Sequence, residues 1–461
     1  MEREMPSKVV QFPHTGARAS PLAHFFRLAD SGVRAIGDLV AAGHLFPKRV
    51  VVDASRFARQ ADLIQDLKQR GVEVVLDTKA AELGSIGKCR GHTKGIAWGT
   101  LSSGIPLGPE HFGRGANTNV VDEIAKFAVR HRVDAVLSPS HWLGDPDCRD
   151  WLERDLHSAF ALRRALDREG GAAIAIDFPI IAPHTLIREP EFRAKLISSL
   201  NDAPVENVWF RASGLKNGAA PLSTTRHIEA MSAYDPLDRP IVADCIGGLT
   251  GLSLLAFGTV SAISHGIGRY DGFDARDWSK EPVERSRDDD GPRAQKRIWL
   301  SDINRSLSRK EVEWLASARG GRKAVACDDR NCCASGLDDM LSDPRRHAAR
   351  QIMARYAELE KVPDLKRGDH FVNHQLESAA RKSRVVAKLK PDMKDDPPPE
   401  IKITMLMRRM ADHADTLDKT RTALEKLGKE RGSTFCRAKP VKSREAQPDL
   451  FRRETGENNG K

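Results

Sequence analysis

RPIVADCIGGLTGLSLLAFGTVSAISHG, residues 239–266, holds the smallest complete piece of the fold. An apolar, β-branched run ends in Asp244, a glycine-rich stretch follows, an apolar helical segment crosses back, and a second β-branched run ends in Ser264 and His265. Strand, helix and parallel strand joined this way make a right-handed βαβ unit.

The same unit recurs toward the N-terminus. KRVVVDAS (48–55), VEVVLDT (72–78), KGIAWG (94–99), VDAVLSPSH (133–141), AAIAIDFPI (172–180) and VENVWFRAS (205–213) complete eight runs with the two above. All but KGIAWG are nearly continuous in apolar residues, as strands buried on both faces are. Between them lie amphipathic stretches such as ARQADLIQDLKQRG and EPEFRAKLISSLND. The fold class predicted is α/β, a (β/α)8 TIM-type barrel over residues 45–270, behind an N-terminal extension of residues 1–44. A doubly wound sheet is the rival, but no G-x-G-x-x-G follows the first run.

After the barrel the pattern changes. Residues 271–380 read as an appended Cys/His module opening on a polar loop. Residues 381–438 read as a linker (MKDDPPPE, 393–400) and one long amphipathic helix, with Ile403, Met407, Met410, Ala414, Leu417 and Leu424 near heptad spacing. That helix can pack on the barrel or pair with a second copy as a homodimer. Residues 439–461 read as a disordered, basic tail. The formal net charge is +10, most of it in the C-terminal part, which suits a polyanionic partner such as nucleic acid, or simple solubility. No run of about 18 apolar residues is present, so no membrane span is expected, and the N-terminus has no apolar signal region. Seven cysteines do not form a disulfide framework, which makes the cytoplasm the expected compartment.

In a parallel barrel, side chains at strand carboxyl ends converge. The candidates are Asp53, Asp77, Ser138 with His141, Asp177, Arg211, Asp244, and Ser264 with His265. Carboxylates there can act as acid, base or nucleophile, although each alone could cap the next helix. Gly247 and Gly248 can offer bare N–H groups to an anion or a flat ring, or merely allow close packing. Cys327, Cys332, Cys333 and His347, in CDDRNCCASGLDDMLSDPRRH, supply the donors of a structural zinc site. Cys89 and His92 form a weaker alternative pair. Loop cations such as Lys79 are expected on solvated surfaces.

Taken in order, these pieces resemble the tRNA-guanine transglycosylase superfamily, including its paralogues that place deazaguanines in DNA. VVLDTKAAEL is similar to the element that opens that family's base pocket, with Asp77 as the aspartate; Thr78, Lys79 and Ala80 stand where the family has serine, glycine and glycine. Ser138 or His141 falls where a base-reading aspartate is expected, and Asp177 lies near the next such position. The last strand carries Ser264 and His265 instead of the nucleophilic aspartate. A three-cysteine, one-histidine module after the last strand is also a family trait, though its spacing differs here. The resemblance implies base exchange on tRNA or DNA with a deazaguanine-like base, Asp77 as acid/base, and Asp244 or Asp177 as nucleophile. Ser138, His141, Arg211, Gly247, Gly248 and His265 would bind substrate. Two other readings stay open: a non-catalytic nucleic-acid-binding barrel, and a barrel enzyme for a small phosphorylated or carboxylated metabolite.

Overall fold

The computed structural model describes residues 21–85, 95–102, 106–112, 119–144, 149–278, 297–390, 402–432 and 438–444, apart from residues 31, 216 and 269, together with the single residues 87 and 280. Eight parallel strands close a barrel in sequence order: β1 (Ala23–Arg27), β2 (Arg49–Asp53), β3 (Glu73–Asp77), β4 (Ala135–Leu137), β5 (Ala175–Pro183), β6 (Asn207–Ser213), β7 (Ile241–Asp244) and β8 (Ala262–His265). β1 pairs with β8, Phe25 opposite Ser264, and this closes the ring. The expected TIM-type barrel is present.

Two strand assignments change. The first strand is Ala23–Arg27, inside the stretch read as an extension, and KGIAWG contributes a short 3-10 turn (Ala97–Ser102) instead. Gly95, at φ +83°, and Gly99 leave too few apolar residues between them for a strand. Trp98 is nonetheless fully buried, its indole N–H donating to the Thr78 carbonyl at 3.0 Å.

Alternation along each strand sorts the interior from the helix-facing side. Ala23, Phe25, Val51, Val75, Ala135, Leu137, Ala175, Trp209, Val242 and Ala262 fill the barrel. Residues of opposite parity, such as Phe26, Val50, Val74, Phe210 and Ile263, join the larger core under the helices.

The module begins with an antiparallel hairpin, β9 (Arg297–Leu300) and β10 (Arg305–Ser308). Ile298, Leu300, Leu307, Val312, Leu315 and Met340 form its core, which Leu406 and Met410 of the long helix Ile403–Arg431 complete. The same helix puts Leu417, Leu424 and Leu427 into the barrel's outer core, so its apolar stripe is used within the chain. Helix Pro344–Glu360 ties the module to the barrel through Ala349, Tyr356 and Leu359.

Part of the tail expected to be disordered is seated at the amino-terminal end of the barrel. Lys442 pairs with the Asn207 side chain through both backbone groups, N–H and C=O, at 2.9 Å each. Ser443 donates to Glu73 at 2.5 Å, Arg444 to Glu206 at 3.1 Å, and Val441 packs against the interior core. Composition marked this stretch as solvated; polar groups at the strand starts supply its partners instead. No helix among the described residues is long and apolar enough to cross a membrane.

Candidate functional site

Toward the carboxyl ends of β1, β2, β3, β6 and β7 the inward positions carry charge: Arg27, Asp53, Asp77, Arg211 and Asp244. Arg27, the last residue of β1, is 1 % exposed and is the hub. Its Nε and Nη2 donate to the two oxygens of Asp244, both at 2.7 Å, and its Nη1 donates to Asp77 Oδ2 at 2.6 Å. Arg211 makes a second bridge, Nε to Asp244 Oδ2 at 2.8 Å and Nη2 to Asp77 Oδ2 at 3.2 Å. Lys79 reaches Glu82 at 2.7 Å and Asp53 at 3.5 Å. Arg56 pairs with Asp53, and Tyr270 donates to Asp53 at 2.8 Å. Asp53, Asp77, Glu82 and Asp244 thus face Arg27, Arg56, Lys79 and Arg211, and all eight are buried.

The field fixes the charge states. Burial alone would raise the Asp77 carboxyl, but Lys79, Arg27 and Arg211 reverse this and hold it well below the usual range. Asp244 is lowered against the same burial by Arg27 and Arg211. Burial opposes the charge on Lys79; Asp53, Asp77 and Glu82 outweigh it and keep the ammonium protonated. Asp77 is therefore held as an anion, which tells against the general-acid half of the role expected of it.

Three non-glycine residues in the left-handed region stand at this mouth: Lys79 (φ 57°), Cys245 (φ 55°) and Tyr270 (φ 57°). Such conformations cost on the order of 1–3 kcal/mol each and tend to gather at functional sites. Over the cluster lies an aromatic rim of Trp142, Phe273 and Trp278, with Ala81 and Ile181 beside it. The Arg211 guanidinium carbon stands 6.0 Å from the Phe273 ring centre.

Of the residues expected here, Asp53, Asp77, Arg211 and Asp244 converge. Asp177 does not. β5 continues to Pro183, so Asp177 is near that strand's start, bonded to Asn207 (2.7 Å), Trp209 (2.9 Å) and Arg49 (3.5 Å) at the opposite end of the barrel. Burial pushes its carboxyl up to about 6, with Arg49, Asn207 and Trp209 opposing. His265 also leaves the site. Alternation turns Ser264 inward and His265 outward, where its Nε2 meets His24 Nε2 at 2.9 Å.

Gly247 and Gly248 are packed rather than open. A Cβ on Gly247 would stand 2.9 Å from the His265 ring, and one on Gly248 2.6 Å from the Asn217 carbonyl and 3.0 Å from Asn304 Oδ1. This fits the close-packing reading and gives no support to a small anionic metabolite at that loop. Ser138 is buried, its backbone N–H on the Asp177 carbonyl at 2.9 Å and its hydroxyl without a partner among the described residues. His141 is buried against Asp155, Trp151 and Phe112. Arg27, Arg56, Glu82 and Tyr270 were not anticipated, nor was Lys79 as a buried group. An arginine ending the short apolar run AHFFR was the available signal for Arg27.

Cys327, Cys332, Cys333 and His347 come together, their ligand atoms all within 4.8 Å of one another, close enough to hold a metal ion. One helical turn explains the adjacent thiols: the N–H groups of Cys332 and Cys333 both donate to the Asp329 carbonyl, at 3.1 and 2.8 Å. His347 Nε2 faces the Trp299 carbonyl at 3.1 Å, which fixes the proton there. Its Nδ1 is left toward the Cys333 and Cys332 sulfurs at 3.4 and 3.6 Å. A ring nitrogen oriented by a backbone carbonyl and three thiols is a donor set that fits a tetrahedral ion. Cys89 and His92 lie outside the described residues.

The fold and mouth define a TIM-type barrel with a buried cluster of paired charges at its carboxyl end and a Cys3His cluster in the appended module. No family model matches the chain, and no curated protein does. Among solved structures it is similar to Penicillium canescens endo-1,4-beta-xylanase XylE, at 12% identity over 52% of this chain and 81% of that one, with a TM-score of 0.34. A likeness of that size adds nothing on chemistry, and the barrel rests on the strand register itself.

Proposed function

We propose that the chain is a barrel enzyme that exchanges a nucleobase in tRNA or DNA at the anomeric carbon, with a deazaguanine-like base as the incoming group. The observation that carries this reading is the pair of ionised carboxylates, Asp77 and Asp244, bridged by Arg27 and Arg211 beneath the Trp142–Phe273–Trp278 rim. A flat heterocycle suits the rim, and an anionic oxygen suits a carbon that gains positive charge as its bond to the base breaks. Asp244 is the bond-forming carboxylate in this account. Asp77 keeps the two guanidinium groups in place, and Ser264 remains where the resembled family has its aspartate. The target base would have to leave its stack to reach the mouth. The Cys327, Cys332, Cys333 and His347 set holds zinc as a structural ion, and the basic C-terminal part of the chain, from about residue 381, contacts the phosphate backbone.

A second reading, a non-catalytic nucleic-acid-binding barrel, is favoured by one feature: four cations cancel four acids, and all the charged donors of Arg27 point at carboxylates. Incubation with tRNA or duplex DNA and labelled guanine or 7-deazaguanine separates the two. The enzyme reading expects label in one of the nucleic acids, lost in a folded Asp244→Asn variant. Binding without incorporation by the wild-type protein favours the second reading and refutes the first.

A further inference from the structure

At the centre of the charged cluster Asp77 and Asp244 are held ionised and Lys79 protonated by their neighbours, so these three are poor proton-exchange groups near neutrality. Making or breaking a bond to a ring nitrogen calls for a group that can both give and take a proton. The loop after β4 holds such a group.

Both oxygens of Asp155, 2 % exposed, are committed to His141: Oδ2 accepts its backbone N–H at 2.8 Å, and Oδ1 faces ring Nδ1 at 2.7 Å. Burial raises the Asp155 carboxyl, and His141 opposes that shift; as a carboxylate Asp155 only accepts, which places the ring proton on Nδ1 and leaves Nε2 as the working nitrogen. The ring cannot turn away. It stacks on Trp151 with centroids 3.8 Å apart at 20°, and meets Phe112 edge-on at 4.9 Å and 86°. Nε2 is buried and has no hydrogen-bond partner among the described residues. A buried polar atom left unpaired is destabilising, because it gives up its hydrogen bonds to water and gains none. His24, His184 and His227 also keep a ring nitrogen unpaired, but of these four only His141 has its other nitrogen held by a carboxylate among the described residues.

The place is also right. His141 Cδ2, bonded to Nε2, lies 3.0 Å from where a Cβ of Gly84 would be. Gly84 is two residues beyond Glu82, which contacts Lys79 and Arg211, and Trp142 of the rim is the next residue after His141.

We infer that His141, oriented by Asp155, is the proton-transfer residue of the barrel mouth, working at Nε2 on a ring nitrogen of the heterocycle. This rests on the reading of the mouth as a base-exchange site. In the first half-reaction the C–N bond breaks as Asp244 forms a C–O bond; the electron pair stays on the departing ring nitrogen, which takes the proton from the imidazolium. In the second, the incoming ring nitrogen attacks the same carbon and gives its proton to Nε2, and the C–O pair returns to Asp244. Asp155 is a positioning residue in both.

Two measurements on the full chain test it. In 15N-histidine NMR, neutral His141 is expected as the Nδ1–H tautomer, and Asp155→Asn, which keeps the shape of the pair, is expected to shift it toward Nε2–H. An Nε2–H tautomer in the wild-type protein, or one indifferent to Asp155→Asn, overturns the inference whatever the substrate. In the labelled-base exchange assay, His141→Asn and His141→Gln are expected to slow single-turnover exchange about 10²–10⁴-fold, the usual range for such a residue. Exchange within twofold of wild type by either folded variant also overturns it. Absence of exchange by the wild-type protein sinks the base-exchange reading instead, and the NMR result then decides the orientation of the dyad alone.

Discussion

Replacing Arg27 by methionine removes one of the two side chains that hold both Asp77 and Asp244, the other being Arg211. Methionine approximates the volume of the stem, so the change lies mainly in charge and hydrogen bonds. Three short contacts, at 2.7, 2.7 and 2.6 Å, disappear, and among the described residues Asp244, with a fully buried side chain, keeps only Arg211 as an ion-pair partner. Breaking one side of a buried pair costs about 3–5 kcal/mol, chiefly from the charge left behind. For a domain the size of this barrel each kcal/mol lowers the melting temperature by about 2 °C, so Arg27→Met is expected to melt roughly 6–10 °C below wild type. Differential scanning calorimetry at neutral pH reads it. Arg27→Lys should recover only part of the loss, because a lysine is a point charge without the fork that spans two carboxylates. Adding Asp244→Asn to Arg27→Met should raise the melting temperature again, since the stranded carboxylate is then gone. A single variant melting within about 2 °C of wild type, or a double variant less stable than Arg27→Met, would refute the clamp.

Zinc is expected at about one ion per chain by elemental analysis, and Cys332→Ser should lose it and loosen the module; full metal content in that variant would contradict the assignment. Asp177 gives a pH signature. Its folded value of about 6 stands above the unfolded value of about 3.9, so its contribution is fully present below pH ~4 and fades as pH rises through ~6. Asp177→Asn should therefore gain stability relative to wild type across that window, on the order of 3 kcal/mol, read by urea denaturation at pH 4, 5, 6 and 7; a pH-independent difference counts against it. A chain ending before Ala438 should show faster amide exchange at the starts of β2, β3 and β6 and a melting temperature lower by a few degrees, and unchanged exchange would show that the seated tail does not hold that end of the barrel.

Seven of the eight strands were legible because a strand covered on both faces must be apolar almost throughout, and VVVD, EVVLD or IVAD have few other uses. The first was not, because AHFFR carries a histidine that faces the outer layer and an arginine that faces the mouth. The acids at the strand ends were visible, but not their partners. Arg27 and Asp244 are 217 residues apart, and nothing local to either announces the other. Asp177 misled because a carboxylate within a strand looks, in one dimension, like one that ends it. His265 misled because one step along a strand reverses the face. The Cys3His cluster was readable from residue types, since the donors lie within one short segment.

Nucleoside mass spectrometry shows whether the barrel exchanges a base in the cell. Hydrolysed tRNA and DNA would be compared from cells lacking this gene and from the same cells carrying wild-type or Asp244→Asn protein. A modified guanine-type nucleoside is expected with the wild-type chain and not with Asp244→Asn. Identical nucleoside profiles in all three, with the wild-type protein folded and present, would contradict it.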